Sequence, residues 1–205
     1  MIARNFVLFC LGLGTFLLAV SPDSSAASKG AITPGNYRDW NGDIDEVTII
    51  QPFQADSYDD IAVESFDITG VPLPNRRDNT YQAVQAALGL IKPAFIEGLQ
   101  AKLRQKPASG GPATRGKKSM LVVRARLTKV DPGSQAARYW AGFGAGAVKI
   151  EMTGEIIDAT SRKTLVRFRQ ERRSGFGAFG GGYRELFVRT ARQIGGDVAG
   201  LISAF

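Results

Sequence analysis

A glycine-rich segment near the C-terminus has the spacing of a dinucleotide-binding fingerprint. Gly175 to Gly180 fits the pattern G-x-G-x-x-G and precedes a predicted helix. Its context does not fit, because the residues before it, Phe168 to Arg173, are charged where a buried parallel strand is apolar. Only 25 residues follow Gly180, too few for the second strand that carries a ribose-binding acid. The sequence therefore predicts no nucleotide site.

The residue types needed for most catalysis are missing. The chain has no His, and its single Cys, Cys10, lies in the N-terminal stretch that is predicted below to be removed as a leader, so we expect the mature part to be neither a His- or Cys-dependent catalyst nor a metalloenzyme. Glu151 and Glu155 share a strand face, but at ~3.4 Å per residue they lie about 13 Å apart, beyond the ~5–9.5 Å of paired glycosidase carboxylates. No Ser-x-x-Lys or Gly-x-Ser-x-Gly motif is present. We predict that the protein is not an enzyme and takes no cofactor or metal.

The N-terminus has the order of a secretory leader. Arg4 is followed by the apolar run Phe6 to Val20 and then by the small residues Ser24 to Ala26. That run is shorter than the ~20 residues needed to cross a bilayer core. A cysteine that receives a lipid anchor follows a small residue, whereas Cys10 follows Phe9 and lies inside the apolar run. We therefore interpret Cys10 as an apolar residue of the leader. We predict a signal peptide over residues 1–26, and a mature protein that is periplasmic or envelope-associated and not transmembrane.

Charge is segregated along the chain, whose formal net charge is +7. From Asp39 to Asp67 there are nine carboxylates and no Lys or Arg, whereas Ala101 to Val130 contains nine basic residues and no acid. Two interpretations remain open. The acidic stretch pairs with the basic one or both face solvent, or the basic residues bind an external anion.

The periodicity predicts two helices. Apolar residues recur at spacings of three and four from Tyr81 to Leu103, on a helix that begins near Asp78 or Asn79 and is kinked at Pro93. A second stripe runs from Phe187 to Leu201 in a closing helix.

Alternation of apolar and polar residues predicts the strands. It is clearest at Leu121 to Thr128, at Val148 to Ile156 and at Val166 to Arg169, with a tight turn at Asp158 to Ser161. Val47 to Phe53 and Ile61 to Ile68 are further candidate strands. We expect an α+β fold: an antiparallel sheet of about four strands with two helices packed on one face. It forms a single domain over residues 61–205, preceded by a flexible, irregular acidic arm over residues 27–60.

Two sets of residues are candidate binding sites. A loop between strands carries Arg138, Tyr139, Trp140 and Phe143, a combination typical of protein contacts. The outward face of the predicted sheet carries Arg124, Arg126, Arg167 and Arg169, which would bind anions. No nucleic-acid-binding module is recognisable among the basic residues, so we expect no nucleic acid partner.

The segment from Asp131 to Gly146, with its Gly-Ser-x-x-Ala-Arg and Gly-Phe-Gly-Ala-Gly runs, resembles a bacterial family catalogued as domain of unknown function 4410. Asp158-Ala159-Thr160 and Gly177 to Gly182 add to the resemblance, which covers roughly Ile61 to the C-terminus. It implies an exported envelope protein with a strand, a helix, an antiparallel meander and a final helix. Two departures are Ser161, where the family's turn has Gly, and the absence of a usable lipid-anchor Cys. The resemblance implies no activity or ligand.

Two functions follow from these observations. The first is an exported, non-enzymatic envelope protein that binds another protein in the periplasm or at the outer membrane. The second is a binder of anionic envelope glycan or lipid headgroups through the basic sheet face.

Overall fold

The computed structural model describes residues 32–41, 43–104, 119–133, 147–174 and 182–205. Within these residues the chain forms one six-stranded sheet and two long helices, which share a single apolar core. The strands are β1 Gly35–Trp40, β2 Ile44–Ile49, β3 Asp60–Asp67, β4 Met120–Asp131, β5 Lys149–Asp158 and β6 Thr164–Arg173. The helices are α1 Tyr81–Arg104 and α2 Tyr183–Ser203, and a short 3-10 helix spans Ala55–Ser57.

The sheet is mixed, with the strand order β1-β2-β6-β5-β4-β3. Neighbouring strands are antiparallel except for β3 and β4, which are parallel and are joined through α1. A parallel pair needs a long crossover, and α1 supplies it. The predicted sheet of about four antiparallel strands is therefore wrong in strand number and in the direction of β3, although the α+β class and the two helices are confirmed.

The predicted irregular arm is also corrected, because β1 and β2 lie within it. These strands form a hairpin whose second strand pairs with β6. Sequence patterning missed β1 because its only buried residue is Trp40 and its only other large apolar ring, Tyr37, is half-buried. The partner strand, and not an apolar run of its own, determines its conformation.

The inner face of the sheet, which we define as the face toward the helices, is apolar. It is built from alternate residues of the central strands, such as Leu121, Val123, Ile150, Met152 and Val166, all fully buried. The predicted stripes of both helices cover it. Phe95 and Leu99 of α1, and every predicted member of the α2 stripe, are buried.

The two helices meet at a pair of glycines. A Cβ atom added to Gly98 would lie 1.9 Å from the carbonyl oxygen of Arg192, and one added to Gly195 would lie 2.1 Å from that of Phe95. Backbone therefore packs directly on backbone, which only glycine permits. This contact brings the helices close together over the sheet.

The helix and turn predictions hold with small changes. Asp78 accepts hydrogen bonds from the backbone N–H and the hydroxyl of Thr80, so it ends the preceding loop and α1 begins at Tyr81. The helix continues through Pro93. At the β5–β6 turn the left-handed residue is Arg162 (φ 57°), one position after Ser161. Neither helix among the described residues is long and apolar enough to span a membrane.

Candidate functional site: the charged outer face of the sheet

The candidate site is the sheet face opposite the helices, which we call the outer face. The fold brings all four predicted anion-binding arginines onto it, two from β4 and two from β6. A shallow groove of about 550 Å³ runs between them. The loop residues Arg138, Tyr139, Trp140 and Phe143 lie outside the described residues, as do the glycine-rich segments at 142–146 and 175–180.

The pairing register aligns the outer-face residues into two rows that cross the sheet from β1 to β3. The first row is Asn36, Thr48, Arg167, Glu155, Arg124 and Ser65. The second row is Arg38, Glu46, Arg169, Thr153, Arg126 and Asp67. Directly opposed side chains in such a row lie about 5 Å apart, which is close enough for charged groups on adjacent strands to form ion pairs.

Opposite charges meet along the first row. The Nε of Arg167 lies 2.9 Å from Glu155 on the neighbouring strand. Arg124 donates to Glu64, the extra residue at a bulge in β3. That hydrogen bond lowers the pKa of the Glu64 carboxyl below its usual value and raises the pKa of Arg124.

The second row is paired in the same way. Arg169 lies 3.1 Å from Glu151 and 3.4 Å from Glu46, and Arg126 lies 3.4 Å from Asp67. The hydrogen bond from Arg169 lowers the pKa of Glu151. The pKa of Asp67 is lowered first by hydrogen bonds from the Thr69 hydroxyl and backbone, and less by Arg126.

All four arginines are therefore matched by carboxylates, three of which come from the acidic stretch of the sequence: Glu46, Glu64 and Asp67. These ion pairs hold positive and negative side chains in alternation on the outer face, and each of the four arginines is balanced by at least one carboxylate. Glu46, Glu64 and Asp67 thus pair internally with arginines of the basic strands, which is one of the arrangements that the sequence left open. The arginine side chains nevertheless remain between 39% and 62% exposed, so they are accessible to a ligand.

Within the described residues, the two glutamates of β5 are engaged by other side chains. Glu151 is engaged by Arg169 and by the Thr128 hydroxyl, and Glu155 by Arg167, so the two carboxylates face different partners. Tyr58 donates to Asp158 at the β5–β6 turn, and burial with this bond raises the pKa of Tyr58 to about 12. No cluster of three potential metal ligands occurs among the described residues.

A second polar cluster, which sequence reasoning missed, joins α2 to the sheet. Asp197 of α2 is 8% exposed and accepts from Gln170 at 3.1 Å, with the guanidinium of Arg172 also at 3.1 Å. Burial raises the pKa of Asp197 to about 6, against the opposing effect of Arg172. The signal in the sequence was a lone acid among the apolar residues of the closing helix.

A second cleft, of about 790 Å³, lies beside the start of both helices. Its lining includes Pro72, Leu73, Lys129, Asp131 and Tyr183.

Comparison with known proteins gives a family but no activity. No curated protein matches the sequence. Among solved structures, the chain is similar to PelC from Paraburkholderia phytofirmans, described as a dodecamer, with 12% identity, coverage of 78% of this chain and 97% of that one, and a TM-score of 0.39. It is also similar to protein XCC0632 from Xanthomonas campestris, of family-model DUF330, with 13% identity, coverage of 69% and 81%, and a TM-score of 0.32.

Neither likeness, at a TM-score below 0.5, supports an assignment of function. The comparison with family models gives a match in sequence, from the second residue of β3 to beyond the end of β6. The model described as Domain of unknown function (DUF4410) matches residues 61–178, more than half of the chain, and the protein belongs to that family.

Proposed function

We propose that this is an exported, non-enzymatic envelope protein that acts by binding another protein, and that the outer face is its contact surface. One observation carries the proposal. The four arginines of that face are held in place by carboxylates, which leaves a patterned surface of both charges and not a basic patch.

A surface of this kind favours a protein partner because of its charge balance. A polyanion gains affinity from uncompensated positive charge, and here each added phosphate or uronate would also meet a neighbouring carboxylate. A protein surface can place an acid beside each arginine and a base beside each carboxylate, which gives specificity and register. Arginine is a frequent anchor of such contacts.

The alternative is binding of anionic glycan or lipid headgroups through Arg124, Arg126, Arg167 and Arg169. Its support is the groove between these side chains and their partial exposure. For this function the ligand must displace the carboxylates from the arginines. Anion binding would then weaken strongly with added salt, because exposed charge–charge contacts are screened within roughly 8–10 Å near physiological ionic strength.

The test uses a variant that blocks the groove without changing charge. Thr153→Trp puts a large ring in the second row between Arg169 and Arg126, on a β-strand that accepts aromatic residues. Gln100→Trp, on an exposed position of α1, is the matched control. Tagged wild-type and variant proteins are used to capture partners from envelope extract at low and physiological salt, and the affinity of each captured protein is then measured with purified components.

At each salt concentration we expect one protein to bind the wild type and the α1 control with the same affinity, to remain bound at physiological salt, and to lose affinity for Thr153→Trp. Binding of wild-type protein to vesicles containing phosphatidylglycerol, lost at physiological salt, would favour the alternative. A protein partner that binds all three forms equally would show that the contact lies away from the outer face. The predicted leader is tested separately: mass spectrometry of the periplasmic fraction should give a chain that begins near Ala27.

A further inference from the structure

The two rows of the outer face end differently at the two edges of the sheet, and the ends are complementary. At the β1 edge the rows end in Asn36 and Arg38, and at the β3 edge they end in Ser65, with the bulged Glu64, and Asp67. We propose that the β1 edge of one copy pairs with the β3 edge of the next, so that the sheet and its charged rows continue from one copy to another. This inference does not depend on the proposed function.

The side chains of the edge strand β3 are only partly covered on both faces of the sheet. On the outer face, Glu64 and Asp67 keep 49% and 42% of their side-chain surface exposed although both are paired. On the inner face, Ile61, Val63 and Phe66 are only half-buried, whereas the corresponding residues of β4, Leu121 and Val123, are fully buried. A neighbouring strand would cover these side chains.

The exposed apolar residues that follow β3 support the same edge. Among the described residues, large exposed hydrophobic side chains occur at three positions, and two of them, Ile68 (40%) and Leu73 (39%), lie just after β3. Ile68 directly follows the last residue of β3, so a strand that pairs with β3 would lie near its exposed side chain.

The β1 edge offers the complementary groups. Arg38 is exposed and makes no side-chain hydrogen bond or ion pair within the described residues. Asn36 accepts a hydrogen bond from Thr48 through its carbonyl, which leaves its amide N–H groups to donate. Between them, Tyr37 is half-buried and packs against the core. Along the β1 edge, Asn36 therefore offers a hydrogen-bond donor, Tyr37 an aromatic ring on the opposite face, and Arg38 a positive charge.

Strand direction allows the rows to continue. The antiparallel pairs from β1 to β4 and the parallel pair β4–β3 leave β1 and β3 running in the same direction. A second copy in the same orientation can therefore place Asn36 beside Ser65 and Glu64, and Arg38 beside Asp67. Pairing two β3 edges would instead bring carboxylates together, which is unfavourable. The contact is thus head-to-tail, the class that forms rings or open chains.

The pairing is short, because Pro34 precedes β1 and Asp39 has a positive φ of 49°. Only Gly35 to Arg38 can extend the sheet, so the pair between Arg38 and Asp67 contributes much of its specificity. Charge reversal at either residue is consequently a direct test.

The experiment measures the mass of the purified protein by sedimentation over a concentration series, for the wild type, Arg38→Asp, Asp67→Arg and an equimolar mixture of the two variants. We expect concentration-dependent association of the wild type and weakening of about tenfold or more in each single variant, since like charges then face each other. In the mixture, each introduced charge meets an opposite charge on the other variant, so association should return.

Arg189→Asp, an exposed change on α2, is the control and should associate like the wild type. Circular dichroism and melting temperature establish that all variants are folded. A wild type that stays monomeric at every concentration, single variants that associate normally, or a mixture that fails to recover would each overturn the proposal. Partner capture by the wild type, Thr153→Trp and the α1 control is a separate measurement, so failure of self-association would not decide the proposed function.

Discussion

The two faces of the sheet are held by different kinds of interaction. On the inner face, side chains such as Phe95, Phe187 and Ile156 are fully excluded from water, and the helices touch backbone to backbone. On the outer face, every charged pair is partly exposed, and exposed pairs each contribute about 0–1 kcal/mol. Stability is therefore concentrated on the inner face, and the outer face can change its residues without unfolding the protein. Such a surface is compatible with the proposed contact role.

The largest effect is expected at the helix–helix contact. Gly195→Ala places a methyl group at 2.1 Å from the carbonyl of Phe95, and the helices must separate to admit it. We expect a loss of about 3 kcal/mol or more in the free energy of unfolding, measured by urea denaturation. The next residue supplies the control. A Cβ on Gly196 meets no atom within 4 Å, so Gly196→Ala should stabilise the helix by about 0.5–1 kcal/mol.

The comparison between these adjacent glycines is decisive because both changes raise helix propensity equally. Only their contacts differ. If Gly195→Ala were as stable as Gly196→Ala, the close approach of α1 and α2 would be wrong.

The second-largest loss of stability is expected at an aromatic stack that packs the C-terminal residue after α2 against the N-terminal hairpin and the segment that follows it. The ring of Phe205 stacks on Phe53 with centroids 4.4 Å apart and on Trp40 with centroids 6.1 Å apart. Phe205→Ala should cost about 2–3 kcal/mol, since a partly buried ring and two ring contacts are lost. Phe205→Leu keeps the apolar volume and should recover part of that loss. Trp40 fluorescence reports whether the ring environment changes, and an unaltered spectrum in Phe205→Ala would contradict the stack.

A third effect depends on pH and comes from Asp197. Its pKa is raised to about 6 in the folded protein from 3.8, mainly by burial, with Asp43 acting in the same direction and with Arg172, Gln170 and Lys102 opposing it. The folded state therefore binds the proton more tightly than the unfolded state. The stabilisation is complete below the unfolded value of 3.8 and is lost as pH rises to about 6.

Asp197→Asn removes this titration while keeping a hydrogen-bond acceptor for Gln170. Relative to the wild type, the variant should gain between about 1 and 3 kcal/mol when the pH is raised from 4 to 7, because part of the cluster is reached by water. Asp67→Asn is a control of opposite sign, since the pKa of Asp67 is lowered and its contribution is lost on acidification. Parallel stability curves for the wild type and Asp197→Asn would show that Asp197 does not titrate in this range.

The sequence predicted the inner face better than the outer face. The apolar stripes of α1 and α2 and the alternation in β4, β5 and β6 are repeated over several turns or residues, and the structure confirms them. In the N-terminal hairpin the sequence predicted only a strand over Val47 to Phe53, which overlaps β2, whereas β1 has no apolar repetition and is aligned by its pairing with β2. Likewise, the four arginines were predicted to share a face, but their partners Glu46, Glu64 and Asp67 come from a part of the chain up to 123 residues away. Strand order and register determine those pairs, and the local periodicity of the sequence predicts neither of them.

The smallest effect is expected on the outer face itself. Arg167 and Glu155 are opposed on β6 and β5 with their side chains 60% and 33% exposed, and their atoms lie 2.9 Å apart. Arg167→Ala should lower the free energy of unfolding by less than about 1 kcal/mol, and a double-mutant cycle with Glu155→Ala should give a coupling of about 0.2–1 kcal/mol. The coupling should fall when salt is raised to 1 M, where the screening length shrinks to about 3 Å. A coupling of several kcal/mol that ignores salt would mean that this pair is part of the folding core. In that case the outer face would not be free to vary, and the contrast between the two faces would not hold.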